Sequence, residues 1–263
     1  MISISAAEIN AWIVAFFFPL ARILALLVAA PPFNNAALSV TIRLMLGLAI
    51  AIALTPALPP IPAVEPASAA GLWILAQQLL IGFAMGFSMR LAFSAVDMAG
   101  NLIGTQMGLG FASFYDPQSA AQTPVISELL GILALLTFLA INGHLMLIAT
   151  LAHSFQIIPI GITPPGSGAW LNVANAGAMI FLSGMLLALP ILVALLITNV
   201  ALSVLSRAAP QLNLFAVGFP LTLALGFAAM IVSLSYLSTP LQLLFEQGLQ
   251  TMLGTFSSGI AGR

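Results

Sequence analysis

Lysine and cysteine are both absent from this 263-residue chain, and acidic and basic residues together make up only 4% of it. Without cysteine there can be no disulfide, thiolate metal site or thiol nucleophile. Without lysine no phosphate-binding glycine loop ending in Lys-Ser/Thr can exist, and neither Gly-x-Ser-x-Gly nor His-Glu-x-x-His occurs. Asp97, Asp116 and Glu128 are too dispersed to suggest a carboxylate enzyme. No catalytic, cofactor-binding or metal-binding residue is therefore assigned, and the chain reads as a non-enzyme. Five arginines against six acids give a net charge of -1, so no basic patch exists for nucleic acid, which is excluded as a partner. A soluble domain is typically about a quarter charged; this composition cannot build a water-facing surface.

What the chain has instead is hydrophobicity, at 62% of its positions. Leu129 to Ser206 passes without one charged residue, and several apolar runs reach the roughly 20 residues that a bilayer-spanning helix requires. The expected fold is all-α and membrane-embedded, with membrane lipid among its neighbours. Six hydrophobic segments are expected, at about 9–30, 39–55, 69–96, 125–155, 176–205 and 214–237, all in one unit over 1–263. The third is expected to continue as a less apolar helix to about Gly108. Pro31-Pro32 ends the first, and prolines between Pro56 and Pro66 force an extended loop after the second. A tail from Pro240 to Arg263 repeats Leu241, Leu244, Phe245, Leu249, Met252 and Leu253 at helical spacing beside glutamines, the pattern of an amphipathic surface helix. Met1–Asn10 carries Glu8 and no basic run, which argues against a cleaved signal peptide. Arg43 and Arg207 beside alternate loops, with Glu65 in the loop between, favour both termini outside.

Polar residues inside these segments are the informative ones. Arg22 lies midway along the first, where an unpartnered cation in hydrocarbon would cost at least about 3 kcal/mol; it must face protein, water or a carboxylate. Arg90 and Asp97 share one face of the third segment but lie about two turns apart, too far to pair directly. An ion or proton path is one use for these three; interhelical pairs that fix an assembly are the favoured one. Glu128 reads as a favourable charge at a helix N-terminus. His144 and His153 point to opposite helix faces and cannot share a metal; His144 is expected to hydrogen-bond a neighbouring helix. Gly100, Gly104 and Gly108, spaced by four, lay a smooth packing face, and Gly82 with Gly86 forms a lesser pair. Between Gly108 and Pro124, Asp116-Pro117 sets a turn. Phe111, Phe114 and Tyr115 there fit either an interfacial aromatic belt or a hydrophobic constriction of a pore.

The run Arg207 to Pro220, Arg-Ala-Ala-Pro-Gln-Leu-Asn-Leu-Phe-Ala-Val-Gly-Phe-Pro, joins two long apolar segments. Together with Arg22, Gly108 to Pro117 and Asn142-Gly143-His144, it closely resembles the flagellar branch of the FliR/SctT family of type III export-gate subunits. Segment order and the Pro-rich loop agree over essentially the whole chain. Virulence-secretion relatives are similar, but a lysine is expected soon after the second proline, where Leu221-Thr222-Leu223 stands. The resemblance implies one copy of this chain with several copies of FliP and FliQ in a helical gate of the flagellar basal body, with FlhB as a further neighbour. That gate passes unfolded export substrates across the bacterial inner membrane. It implies a channel plug at Phe111, Phe114, Tyr115, Asp116 and Pro117; Arg207, Gln211 and Asn213 are expected to make the interhelical or intersubunit hydrogen bonds that hold a hinge containing Pro210. A small-molecule or ion transporter is the rival reading, but it predicts inverted repeats that are not seen here.

Overall fold

The computed structural model describes residues 6–35, 38–62, 64–111, 124–161, 167–209 and 214–257. Helix α1 (Ala6–Ala29) stops just before Pro31-Pro32, and α2 (Val40–Leu54) starts at Ser39, whose Oγ accepts from the Ile42 amide. Beyond the Pro-rich loop, Ser68 opens α3 (Ala69–Gln106) by accepting from the Gly71 amide at 3.1 Å. A short polar side chain at this position satisfies an amide that the first turn leaves without a partner. α3 ends because Gly108 adopts φ 85°, a left-handed conformation that glycine takes without steric cost. Past a single 3-10 turn at Leu109–Phe111, α4 (Val125–Ala140) begins directly after Pro124. α5 (Gly143–Ile157), α6 (Ser167–Ala176), α7 (Ala178–Ala208) and α8 (Leu214–Ser257) complete the chain.

Three expectations change. The segment expected at 125–155 is two helices, because Asn142 sits at φ 58° and interrupts the ladder between Ala140 and Gly143. The segment at 214–237 and the tail from Pro240 form one helix; α8 runs through Pro220 and Pro240. Proline removes one amide and crowds one carbonyl, which a long apolar helix tolerates where its neighbours can compensate. Gly108 lies past the end of α3, so it turns the chain instead of extending the face of Gly100 and Gly104. Among the described residues four helical stretches are long and apolar enough to span a membrane, within 40–57, 69–106, 171–208 and 217–254.

The described contacts group the chain into two compact units. The first comprises 1–91, 142–176 and 246–263. Its core joins Phe18, Ile23 and Leu26 of α1 to Ile74, Ile81 and Met85 of α3 and Leu147, Leu151 and Phe155 of α5, all essentially inaccessible. Close approach of α1 to α3 depends on Gly82 and Gly86. A Cβ on Gly86 would lie 2.6 Å from the Ala29 Cβ and 2.7 Å from the Leu26 carbonyl oxygen, and one on Gly82 would strike the Arg22 carbonyl. The second unit comprises 92–141 and 177–245. Phe93, Phe138 and Phe245 form its aromatic centre, with ring centroids 5.1 to 5.8 Å apart, in edge-on and tilted geometries that suit the ring quadrupoles.

Candidate gate and buried polar sites

Arg22 is the largest fully buried side chain among the described residues. It occupies a core position because Phe18, Arg22 and Leu26 follow at spacings of four on one face of α1. Its Nε donates to Gln78 Oε1 at 2.8 Å, one terminal nitrogen to Ser154 Oγ at 3.2 Å, and the other to the Ile158 carbonyl at 2.9 Å. The guanidinium carbon stands 4.2 Å from the centre of the Phe155 ring. None of these partners is a carboxylate. Ile158 instead caps the C-terminus of α5, where the helix dipole presents about half a negative charge. A helix end, an aromatic face and two neutral acceptors thus hold the cation and tie α1, α3 and α5 together in the first unit. Gln78 and Ser154 were not singled out in the sequence. Their signal was position, since Gln78 falls on the core stripe of Ile74, Ile81 and Met85, and Ser154 on that of Leu147 and Leu151.

The segment between α3 and α4 is held at its base by the glycine face. A Cβ on Gly100 would lie 2.7 Å from the Ser127 amide nitrogen and 2.8 Å from its Oγ, so α3 and the first turn of α4 meet backbone to backbone. Ser127 Oγ clinches the contact by donating to the Asp97 carbonyl at 3.0 Å. Gly104 is less crowded, with the Ile126 side chain 3.7 Å from its would-be Cβ. Phe111 closes the 3-10 turn that leaves α3. Phe114, Tyr115, Asp116 and Pro117 lie outside the described residues, as do Pro210, Gln211 and Asn213.

Of the remaining polar residues, Arg90 and Asp97 are both exposed on α3. Arg207 is exposed in the last turn of α7, where a cation opposes the helix dipole favourably. Glu128 lies in the first turn of α4. His153 is exposed and approaches Gln156 of its own helix at 3.2 Å, whereas His144 Nδ1 is buried with no hydrogen-bond partner among the described residues. No group of three potential metal ligands occurs among the described residues.

The profile of the family described as Bacterial export proteins, family 1, matches residues 13–248. A protein of Pectobacterium carotovorum subsp. carotovorum named Flagellar biosynthetic protein FliR is 46% identical over 226 residues, 86% of each chain. The protein of the same name from Escherichia coli (strain K12) is 42% identical over 247 residues, 94% of each chain. That from Bacillus subtilis (strain 168) is 32% identical over 180 residues, covering 67% of this chain and 69% of its own.

Proposed function

This chain belongs to family 1 of the bacterial export proteins, and from that premise we propose that it is a multi-pass inner-membrane subunit of the flagellar type III export apparatus. The observation that carries this reading is end-to-end similarity to proteins named for flagellar biosynthesis. Long apolar helices fit a membrane seat, and the scattered titratable groups fit a structural and gating role better than an enzymatic one.

In this reading one copy joins several copies of FliP and FliQ, with FlhB alongside, around a path for unfolded flagellar subunits. The connection from Gly108 to Pro124 is the plug, in which Phe111, Phe114 and Tyr115 exclude water and ions while Asp116-Pro117 sets its turn. The clasp of Gly100 on Ser127 supports this role, because it joins the two helices that the loop connects. Arg207, Pro210, Gln211 and Asn213 form the hinge between α7 and α8.

Native mass in mild detergent, measured after expression with and without FliP and FliQ, tests the reading. A discrete complex with one copy of this chain, formed only when the partners are present, is expected. A stable monomer or homo-oligomer indifferent to them would return solute transport to first place.

A further inference from the structure

The part of α3 that belongs to the second unit carries a polar edge that this unit leaves open. Ser94, Asp97, Asn101 and Thr105 follow at spacings of three and four, so they share one face. With Gln106 they line an open cavity of about 540 Å3, whose apolar walls are Met98 and Leu102 of α3 and Ile180 and Leu192 of α7. Asp97, Asn101 and Thr105 are exposed. Ser127 Oγ and Asn101 Nδ2 both donate to the Asp97 backbone carbonyl, each at 3.0 Å, so neither serves its carboxylate. One carboxylate oxygen instead lies 3.7 Å from the position a Cβ would take on Gly131 of α4. Among the described residues no arginine, lysine or histidine lines the cavity, and Glu128, a charged group within Coulombic reach, has the same sign as Asp97.

An anion exposed on so apolar a helix is costly against lipid. What covers it must supply a positive charge and hydrogen-bond donors, and must also tolerate apolar walls. A zwitterionic lipid headgroup would bring an ammonium, but also a phosphate that Asp97 and Glu128 would repel. A basic side chain brings the cation alone, on an aliphatic stem that packs against Met98, Leu102, Ile180 and Leu192. We propose that this edge of α3 docks a helix of a neighbouring subunit of the export assembly, whose lysine or arginine enters the cavity and pairs with Asp97. The inference rests on the reading of the chain as an assembly subunit, and it adds the chemistry of one contact.

The test uses a flagellated host whose own copy of this chain is replaced. A photo-reactive benzoylphenylalanine at Leu102 is irradiated in membranes, the complex is purified, and adducts are sequenced. The expected adduct is to a different polypeptide, within about one helical turn of a lysine or arginine. Asp97→Asn, which keeps shape but not charge, should lower the adduct and the recovered complex roughly tenfold or more, as loss of a desolvated charge pair does. Asp97→Glu should retain most of both, and Asp97→Lys should be rescued by an acidic residue at the cross-linked basic position. Adducts only to lipid, to a helix without a nearby cation, or to this chain itself would overturn the docking proposal. So would an Asp97→Asn variant that behaves as wild type. In each of those cases a wild-type complex of normal mass leaves the subunit reading standing; failure of the wild-type chain to form any complex removes both.

Discussion

At the scale of single residues, Arg22 shows what a sequence can and cannot convey. That it must be satisfied follows from its place in an apolar run; by whom does not, since its partners lie 56, 132 and 136 positions away. The sequence left protein, water or a carboxylate open as its partner, and protein is what it meets. A helix C-terminus beside Phe155 takes the place of an anion, and no composition rule reads the end of a distant helix. Arg22→Leu should destabilise the chain by about 3 kcal/mol, because the acceptors on Gln78, Ser154 and Ile158 are then buried unpaired. Arg22→Lys should fall between, since an ammonium cannot reproduce the planar fork. Adding Gln78→Leu and Ser154→Ala to Arg22→Leu should recover part of the loss, because an apolar site without orphans is tolerated better than half a network. Thermal-unfolding midpoints in detergent decide this: equal midpoints for Arg22→Leu and wild type would mean the network contributes nothing.

At the scale of elements, spacing located the glycines but not their uses. Gly100 and Gly104 look alike in sequence, yet the first meets the Ser127 backbone and the second a movable side chain. Gly100→Ala should therefore force α3 and α4 apart and cost about 2 kcal/mol or more, whereas Gly104→Ala makes ordinary contact and should cost less than about 0.5 kcal/mol. Similar losses at both sites, read from detergent stability, would contradict the clasp. The break in 125–155 had a visible sign in Asn142-Gly143, but hydrophobicity averages straight through a residue whose backbone alone is unusual. At φ 58° a β-branched side chain is strained, so Asn142→Val should cost about 1 to 2 kcal/mol while Asn142→Gly is nearly neutral. The converse error lay at Pro240, where a breaker by local rule sits inside α8.

At the scale of the whole molecule, hydropathy recognises an apolar helix but not the medium it meets. In their most apolar stretches α3 is 61% buried within the chain, whereas the stretches containing α2, α7 and α8 are only 17% to 22% buried. α3 is thus the most enclosed of these helices, and the others turn large apolar side chains outward, as Met45, Ile197 and Val232 do, toward lipid or other subunits. Helices meet backbone to backbone at Gly82, Gly86 and Gly100, and the last of these lies on the helix that leads into the connection leaving Gly108. Removal of Phe111 to Tyr115 should therefore leave α3, α4 and the clasp at Ser127 in place, so that the chain still enters its complex. On the proposed reading of this loop as the plug, what is lost is the aromatic seal, and water needs only a continuous wetted path to carry ions. The expected outcome is a complex of unchanged native mass in membranes that lose a potassium gradient markedly faster than wild type. A complex of normal mass with unchanged ion permeability would show that the barrier to leakage lies elsewhere in the gate.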